Sequence, residues 1–541
     1  MNIKEIEKKW QNKWIEDNSF KFDVNSNKEK KIIIPMFPYP SGNIHMGHMR
    51  NYTISDVIAR YCRNKGFNVC HPMGWDSYGS PAESAAINNN VHPKEWTDIN
   101  IKNMKEQMIR MGMSFDWSRE ISTCEVDYWK NEQKFFIDMW KKGYIDKKIG
   151  YVNWDPIDES VVSNEQVIDG KGWRTGAIIE QKEMIQYYFK TTMFKDDMMN
   201  VSSCEEWPDN ITKQQVNFMS KGIRNGDDIN PFSDWCVSRQ KYWGTPIPMI
   251  NCDKCGTIPN ENIPVVAPID VDFNGKGNPI RNHATWANIK CPNCGGDAEK
   301  ETDTMDTFVQ SSWYFIRYIS DFFNGEFDHD VIKKMFPIDY YIGGSEHANS
   351  HMIYSRFFWR VFKEMNYIPK NTSIEPFKKV ITQGMVKNGG KKMSKSAGNG
   401  ISPIDVVDKY GCDVVRMYMM FSGPVEQDID WNEDGIKGVS RFITKIINAI
   451  TKIKDKDFIY IKNVKNEQIS KTKIEELNKR IENVYEDNMK FNTIIAFSME
   501  TYNAISKTTD INIWKEGIDT IMRGIGPIIP HIYSENYENY E

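Results

Sequence analysis

A short apolar run, followed by a tight turn and a helix-like segment, is the feature that most constrains the fold of this chain. Residues 31–37 (KIIIPMF) predict a buried parallel strand. Residues 38–43 (PYPSGN) predict a turn because they are rich in Pro and Gly. Between Met46 and Arg63, apolar residues recur on one face, as in a helix that packs on a sheet. This order predicts the first unit of a nucleotide-binding α/β domain.

The sequence pattern of the remaining chain predicts further strands, inserted modules and a helical bundle. A second strand is predicted at 66–71, and apolar runs typical of strands resume at 340–344 and 380–385. The stretch from about 151 to 302 is irregular and rich in Gly, Pro and Trp, which indicates inserted modules. From about residue 435 the pattern turns helical and predicts an α-helical bundle. The expected fold class is therefore α/β, with a parallel-sheet domain split by insertions.

Bulk properties limit the location and partners of the chain only loosely. Its 541 residues suggest several structural units, and a net charge of −5 neither supports nor excludes an RNA partner. No apolar run reaches the roughly 18 to 20 residues of a membrane span, and the charged N-terminus does not resemble a secretory signal. Ten cysteines in a chain of this length do not suggest a disulfide scaffold. We therefore expect a cytoplasmic protein with no membrane attachment.

Two histidines stand where the turn meets the helix. His45 and His48 flank Gly47, and a helix N-terminus offers unpaired N–H groups and partial positive charge to a phosphate. The histidines can donate hydrogen bonds to triphosphate oxygens, and the glycine lets a flat base approach the backbone. The alternative interpretation of this motif alone is an ordinary pair of surface histidines.

A second basic element lies far downstream, in residues 391–396 (KKMSKS). Lys392 and Lys395 are three residues apart in a loop loosened by neighbouring glycines. Such a loop can move onto a polyphosphate and neutralise the charge that develops as pyrophosphate leaves. Taken alone, the element is equally compatible with a solvated surface loop.

Together, HxGH after a strand and a distant KMSKS resemble the signature pair of class I aminoacyl-tRNA synthetases. Further blocks are similar to the leucyl-tRNA synthetases, spread from about residue 30 to 440. They comprise 36–42 (MFPYPSG), 50–53 (RNYT), 71–76 (HPMGWD), 116–120 (DWSRE), 164–167 (NEQV), Trp235 with 237–240 (VSRQ), 301–308 (ETDTMDTF) and 382–386 (TQGMV). The resemblance implies a Rossmann-like catalytic domain that activates L-leucine with ATP and Mg²⁺ and charges the terminal 2′-hydroxyl of tRNA(Leu).

The resemblance also implies which residues bind each substrate. Asp76 would take the leucine ammonium group, since a carboxylate is the partner that a cation needs in a partly closed site. The other expected leucine contacts are Met36, Phe37, Tyr39, Phe308, Ser311, Tyr314, His347 and His351. The expected ATP contacts are His45, Gly47, His48, Gly344, Glu346, Gln383, Met385, Lys392, Ser394 and Lys395, and the catalytic groups are His45, His48, Lys392 and Lys395.

Alternatives remain for several of these residues. Each aromatic taken singly also suits core packing. His347 and His351 share a helix face if the segment is helical, and their spacing also suits a metal. Because Glu346 precedes His347 and the pattern is not HExxH, substrate contact is favoured.

Four cysteines form two CxxCG knuckles, Cys252 with Cys255 and Cys291 with Cys294. Each pair can place two thiolates on one ion, and together they complete a tetrahedral site. The sequence therefore predicts a structural Zn²⁺ in a small zinc-ribbon-like module. A redox pair or unbound thiols are the alternatives.

The chain departs from the family pattern in its insertions. Family members usually carry a long editing insertion between a Trp-Pro segment and the block at 234–240, but here only about 25 residues separate Pro208 from Asp234. A hydrolytic domain does not fit there, so we expect no post-transfer editing. Residues 153–175 resemble a zinc-bearing module of the family but lack its cysteines. The helical bundle ends soon after His531, which suggests truncation and a missing C-terminal tRNA-binding domain.

These expectations divide the chain into six parts and leave three rival functions. The parts are a first catalytic half (1–150), a connective insertion (151–233), a return segment with the cysteine module (234–302), a second catalytic half (303–385), the KMSKS loop and stem-contact region (386–430) and a truncated anticodon-binding-type bundle (431–541). The rivals are another class I synthetase, for isoleucine, valine or methionine, a non-tRNA nucleotidylyltransferase, and a non-enzymatic RNA-binding protein. A monomer is expected.

Overall fold

The structure, a computed structural model, describes residues 3–537 apart from 90, 163–165, 174, 226–227, 231, 272–277, 324, 394–397, 456–458 and 460. The first part of the chain alternates helices and short strands. Its elements are α1 (Ile3–Glu16), β1 (Lys30–Pro35), α2 (Met46–Asn64), β2 (Asn68–Cys70), β3 (Pro72–Trp75), α3 (Ser80–Asn89), α4 (Pro93–Arg110), β4 (Asp116–Ser122) and α5 (Val126–Lys141). The strand–turn–helix unit predicted at residues 31–63 is thus present, with its boundaries shifted by one or two residues.

The middle of the chain consists mostly of antiparallel strands. Its elements are β5 (Ile145–Asp155), β6 (Ser160–Val162), β7 (Val167–Ile168), β8 (Lys171–Gly172), β9 (Glu180–Phe189), α6 (Lys195–Met199), α7 (Asp209–Lys221), β10 (Ile223–Asn225), β11 (Asp228–Asn230), β12 (Trp235–Cys236), β13 (Ser238–Arg239), β14 (Met249–Cys252), β15 (Gly256–Pro259), α8 (Pro279–Asn282), β16 (Asn288–Lys290), β17 (Asp297–Lys300) and β18 (Thr304–Met305). Two four-stranded sheets form here, in the orders β12–β9–β5–β6 and β15–β14–β17–β16. The domain boundary expected at residue 150 falls inside β5. This strand is continuous across that position, and it pairs with β9 along nearly its whole length.

The last part returns to the parallel sheet and ends in helices. Its elements are α9 (Thr307–Ser311), α10 (Tyr314–Arg317), β19 (Phe322–Phe323), β20 (Glu326–Phe327), α11 (His329–Met335), β21 (Ile338–Gly344), α12 (His351–Glu364), β22 (Phe377–Gln383), β23 (Val386–Asn388), β24 (Lys391–Lys392), α13 (Pro403–Tyr410), α14 (Cys412–Phe421), β25 (Ile429–Asp430), α15 (Glu433–Lys454), α16 (Val464–Glu482), α17 (Phe491–Ile505), α18 (Ile511–Ile525) and α19 (Pro530–Tyr537). Helices α15 to α18 form the predicted bundle, whose buried isoleucines share one core cluster with α2.

The parallel sheet explains where a ligand can bind. Its strand order is β2–β1–β21–β22, and every pairing in it is parallel. The three isoleucines of β1 are fully buried, as expected for a strand covered on both faces. From β1 the chain passes to β2 on one side and much later to β21 on the other. The carboxyl ends of β1 and β21 therefore flank the crevice in which open α/β sheets bind ligands.

These observations confirm the predicted fold class. The short apolar runs at 340–344 and 380–385 belong to β21 and β22, the two strands that complete the sheet around β1. In the described part of the chain, no helix has both the length and the apolar character needed to cross a membrane.

Candidate active site

The predicted substrate residues gather at the carboxyl ends of the parallel strands. Phe37 follows β1, Asp76 follows β3, Glu346 follows β21, and Gln383 ends β22. Because parallel strands place their carboxyl ends along one edge, residues more than 300 positions apart in sequence meet there. The site is therefore assembled by the topology of the sheet.

His45 and His48 are held by a reciprocal capping arrangement at the start of α2. The His48 backbone N–H donates to His45 Nδ1 at 3.3 Å, and the His45 backbone N–H donates to His48 Nδ1 at 3.2 Å. The two rings stack with their centroids 3.7 Å apart. Two of the N–H groups that a helix start leaves unpaired are thereby satisfied by the histidines themselves.

This arrangement fixes which ring nitrogen carries the proton. Since Nδ1 of each ring accepts a hydrogen bond, each neutral imidazole carries its proton on Nε2 and presents it as a donor. Burial lowers the pKa of His48 well below its usual range, and the neighbouring His45 lowers it further. His48 is therefore neutral at physiological pH and acts as a hydrogen-bond donor rather than a cation.

Gly47 is required by the packing of His45. A Cβ atom at this position would lie 2.9 Å from both Cε1 and Nδ1 of the His45 ring. That separation is too short for a non-bonded contact, so any side chain here would displace the ring. The glycine of the HMGH motif thus keeps the histidine pair in place.

Asp76 presents a carboxylate oxygen that has no partner among the described residues. Its backbone N–H donates to the Pro38 carbonyl at 3.0 Å, which ties the end of β3 to the turn after β1. Its Oδ1 is inaccessible to solvent and forms no hydrogen bond within the described part of the chain. Burial, with a contribution from Asp306, raises the pKa of Asp76 to about 8. A substrate cation would satisfy this oxygen and favour its ionised form.

Tyr314, one of the expected leucine contacts, lies near this carboxylate, since burial, with a contribution from Asp76, raises the pKa of Tyr314 well above its usual range. Phe37 and Tyr314 stack in parallel with their centroids 3.8 Å apart, and Tyr314 is fully buried. The Tyr39 hydroxyl donates to the Gly79 carbonyl at 3.2 Å and accepts from the Ala82 N–H. The structure thus brings Phe37 and Tyr314 together, and their role in binding leucine stays a prediction.

His351 and His347 differ in their surroundings. His351 is buried, and its Nε2 is hydrogen-bonded to the Tyr341 hydroxyl, which is also 2.9 Å from the Tyr314 hydroxyl. Burial lowers the pKa of His351 to about 3, with a smaller contribution from His347. The two imidazole rings lie perpendicular, 6.3 Å apart. Among the described residues, no third metal-ligating group lies close to these two histidines, which does not favour the metal alternative. Their role in substrate contact stays a prediction.

Phe308 and Ser311 lie on the short helix α9, which Asp306 caps. Asp306 Oδ1 accepts from the Phe308 N–H at 3.0 Å, and its Oδ2 accepts from Trp235 Nε1 at 3.1 Å and from Arg239. The buried Arg239–Asp306 pair thus fixes α9 against the middle of the chain. In the sequence, Asp306, Trp235 and Arg239 stood out only as parts of family-like blocks, and their hydrogen bonding is a result of the tertiary structure.

Three of the expected ATP contacts lie at the ends of β21 and β22. A Cβ at Gly344 would lie 2.1 Å from Oε2 of Glu346, so a side chain here would displace that carboxylate. Gln383 Oε1 is buried and has no partner among the described residues. The Met385 N–H donates to Asp428 Oδ1 at 2.8 Å, and the Met385 side chain is exposed.

A buried arginine of α2, Arg50, binds backbone carbonyls next to the end of β22. The sequence pattern did not predict this structural role. Arg50 Nη1 donates to the Gly384 carbonyl at 3.1 Å, and its Nη2 donates to the Pro424 carbonyl at 2.9 Å. Arg50 is almost fully buried. It therefore links the histidine-bearing helix to the strand end next to the KMSKS element.

The described part of the KMSKS element is a short hairpin. Strand β24, with the exposed Lys392, pairs with β23, and the Gly390 N–H donates to Asp430 Oδ2 at 3.0 Å. Asn399 Nδ2 donates to the Lys392 carbonyl at 3.2 Å, so the segment after the element is tied to β24. Ser394 and Lys395 lie outside the described residues.

The four paired cysteines come together as predicted. Their sulfur atoms all lie within 4.8 Å of one another, and Sγ of Cys252 is 3.7 Å from Sγ of Cys294. Four thiolates around zinc, at Zn–S bonds of about 2.3 Å, have S–S distances of about 3.8 Å. The donor set therefore fits a tetrahedral ion.

Each cysteine knuckle is followed by a glycine in the left-handed region, Gly256 with φ 71° and Gly295 with φ 70°. Such a conformation favours glycine, as the sequence indicated. Although desolvation opposes it, backbone N–H groups of Cys294 and Asn293 lower the pKa of Cys291 to about 7. In the same cluster, hydrogen bonding with Cys294 and the other thiols raises the pKa of Cys255, so the four thiols share their protons unevenly.

Comparison with known proteins relates this geometry to an enzyme family. Residues 9–432 match the family model described as tRNA synthetases class I (I, L, M and V). A leucine–tRNA ligase from Nitratiruptor sp. is 34% identical over 98% of this chain and 88% of its own length. The Helicobacter pylori J99 leucine–tRNA ligase is 33% identical, with coverage of 98% and 89%. These alignments run over 729 and 721 positions, although the chain has 541 residues.

Two solved structures resemble this chain over most of its length. The ternary complex of Agrobacterium radiobacter K84 agnB2 LeuRS with tRNA and LeuAMS matches with a TM-score of 0.90 at 29% identity, over 99% of this chain and 88% of that one. Mycobacterium tuberculosis methionyl-tRNA synthetase, bound to methionyl-adenylate, shares the fold with a TM-score of 0.64 at 16% identity, over 94% of this chain and 93% of that one. Since the leucine–tRNA ligases match nearly the whole chain at more than 30% identity, this chain belongs to the leucine–tRNA ligase family of class I aminoacyl-tRNA synthetases.

Proposed function

We propose that this chain forms leucyl-adenylate from L-leucine and ATP and transfers the leucyl group to the terminal 2′-hydroxyl of tRNA(Leu), without post-transfer editing. Support for the substrates comes from the Agrobacterium relative, which was solved as a complex with tRNA and LeuAMS. The observation that carries the assignment in this chain is Asp76 Oδ1, a buried carboxylate oxygen without a partner among the described residues, near the stacked rings of Tyr314 and Phe37. An α-amino acid with an apolar side chain offers the two complementary groups.

The proposed reaction needs no covalent enzyme intermediate. The leucine carboxylate attacks the α-phosphorus of ATP, which enters with Mg²⁺, and pyrophosphate leaves. Asp76 orients the amino group, and the Nε2–H groups of His45 and His48 donate to the triphosphate. Lys392 and Lys395 would neutralise the charge of the leaving pyrophosphate. The adenylate then stays bound until the tRNA hydroxyl accepts the leucyl group.

The proposed lack of editing rests on a short segment. The chain passes from Trp207 to Asp234 through helix α7 and the small β10–β11 hairpin. A hydrolytic domain requires many more residues than this connection contains. The alignments to the relatives, which are longer than this chain, are consistent with additional residues in those proteins.

Without editing, the synthetic site alone must discriminate between amino acids. A pocket that separates aliphatic side chains differing by one methylene gains about 1 to 3 kcal/mol, or roughly 10- to 200-fold. This range limits what shape complementarity alone achieves, because a slightly smaller side chain still enters the pocket. We therefore infer measurable misactivation of norvaline, isoleucine or methionine.

Two further features complete the proposal. The four cysteines would hold a structural Zn²⁺, since four protein ligands leave no open coordination position. The protein would act as a cytoplasmic monomer. Zinc would then stabilise the β14–β17 module without taking part in the reaction.

The first experiment is ATP–pyrophosphate exchange with leucine, isoleucine, valine, methionine and norvaline. Exchange with leucine at the highest kcat/KM is expected, and no exchange with leucine would refute the proposed activity. The second experiment incubates isoleucyl-tRNA(Leu) with the enzyme. We expect deacylation at the rate seen in buffer alone, while a leucine–tRNA ligase with an editing domain serves as the positive control. Enzyme-dependent hydrolysis would refute the absence of editing and leave the synthetic activity standing.

A further inference from the structure

A second cavity lies at the opposite end of the parallel sheet from the active site. It has a volume of about 540 Å³, within the range of small-molecule sites. Its walls come from α1, the segment before β1, the C-terminal end of α2, the start of β2, and α19. The histidine pair lies at the other end of α2, whose 19 residues span about 27 Å. A small ligand in this cavity would therefore be separate from the proposed leucine and ATP sites.

Positive charge dominates the lining of this cavity. The lining cations are Lys13, Lys21, Lys28, Arg60 and Arg63, and Asp17 supplies the carboxylate among the lining residues. Arg60 is paired with Asp56 at 2.8 Å. Within the described part of the chain, no carboxylate lies within ion-pair distance of Lys21, Lys28 or Arg63. A concave surface of one charge sign concentrates the field and attracts ions of the opposite sign.

Arg63 is held in a fixed orientation at the wall. Its Nη1 donates to Ser114 Oγ at 2.6 Å, and its Nη2 donates to the Ser114 carbonyl at 3.1 Å. Its guanidinium lies 4.9 Å from the centre of the Phe20 ring. Burial, helped by Arg60, lowers the pKa of Arg63 to about 10, so the group remains charged at neutral pH. An incoming anion would meet a preorganised guanidinium whose protein partners are neutral.

Aromatic rings complete the lining. Phe20, Phe67, Tyr533 and Tyr537 line the cavity and are partly exposed. The rings of Tyr533 and Tyr537 stack within 10° of parallel, with centroids 5.3 Å apart. Aromatic faces next to a positively charged groove are the combination that binds nucleotide bases and phosphates together.

We propose that this cavity binds a nucleoside phosphate, with its phosphate on Lys21, Lys28 and Arg63 and its base against the partly exposed aromatic rings. The ligand is either a free nucleotide or one nucleotide of an RNA strand. The walls include the first and the last described helices, which already contact each other through the hydrogen bond from Trp10 Nε1 to Glu535 at 2.7 Å.

The test separates this site from the ATP site by saturating the active site with LeuAMS. A fluorescent AMP derivative and a short single-stranded oligoribonucleotide are then titrated against the blocked enzyme. The variant K21A/K28A removes two exposed charges from the cavity, and K213A/K221A removes two exposed charges from α7 as the matched control. Circular dichroism melting verifies that both variants are folded.

We expect the blocked enzyme to bind at least one probe, about ten-fold more weakly in K21A/K28A and unchanged in the control, since contacts to charged groups are lost. Binding of the AMP derivative identifies a free nucleotide as the ligand, and binding of the oligonucleotide alone identifies RNA. The affinity should also fall with salt as phosphate contacts require. Absence of binding to both probes, or equal weakening in the two variants, would overturn the proposal.

Discussion

Replacing Asp76 by Asn tests how the proposed active site recognises the amino group of its substrate. The carboxylate oxygen Oδ1 has no partner among the described residues, and the pKa of this group is raised to about 8 by burial and then by Asp306. Leaving a desolvated ion-pair partner without its counter-charge costs about 2 to 5 kcal/mol. In the wild type, ionising Asp76 at pH 7 costs about 1.4 kcal/mol, because its pKa is about one unit higher than the pH. The difference is about 0.6 to 3.6 kcal/mol, or roughly 3- to 500-fold in kcat/KM.

The pH dependence follows from the same pKa. In the proposed mechanism the leucine ammonium binds next to ionised Asp76, so the competent fraction of the free enzyme should rise with pH up to the pKa of about 8. In the wild type, kcat/KM for leucine should rise about ten-fold between pH 6 and pH 7, and level off above about pH 8.5. The Asp76→Asn variant should show no such rise. The advantage of the wild type over the variant therefore grows with pH.

The assay is leucine-dependent ATP–pyrophosphate exchange from pH 6 to 9, with KM for ATP followed in parallel. Asp127→Asn, which removes an exposed carboxylate on α5, is the matched control and should follow the wild-type profile. If kcat/KM for leucine is flat with pH in the wild type, or if Asp76→Asn retains the wild-type value at pH 8, then Asp76 does not bind the ammonium group and the reasoning fails.

Three further predictions concern other parts of the chain. Gly47→Ala should lower the exchange rate at least ten-fold while the protein stays folded, because a Cβ would lie 2.9 Å from the His45 ring; wild-type exchange would contradict this role. Cys252→Ser should lose a bound equivalent of Zn²⁺ by metal analysis and melt at a lower temperature, whereas Cys236→Ser, outside the cluster, should retain the metal; equal metal content would be contrary evidence. Glu7 has its pKa raised from 4.5 to about 8 by burial and then by neighbouring negative charge, so its folded form holds a proton that the unfolded form releases between these values. Wild-type stability should fall as pH rises through this window, and Glu7→Gln should gain relative to it in thermal melts between pH 5 and 8, by up to about 1.4 kcal/mol per pH unit; a constant difference would refute the assignment.

The sequence by itself determined the features whose signals are local. The unit β1–turn–α2 was predictable because an apolar run, a Pro- and Gly-rich turn and a helical period lie within about 35 residues. The HMGH motif, the KMSKS element and the two cysteine knuckles were likewise visible, since each places its chemistry within a few positions. The knuckles also predicted that four thiols meet, and their sulfur atoms lie within 4.8 Å of one another. The functional class follows from these motifs together with the resemblance that they share with a family.

Only the tertiary structure decided how these local pieces act on one another. Asp76 acquires its raised pKa from burial and from Asp306, which lies 230 positions away in the sequence. Arg50 reaches the carbonyl of Gly384 across the sheet, and the basic cavity joins helices from opposite ends of the chain. Hydrophobic periodicity reports which face of an element is buried, but not which distant residue covers it. Contacts of high sequence separation, and the desolvation that they impose on charged groups, therefore became apparent only once the chain was folded.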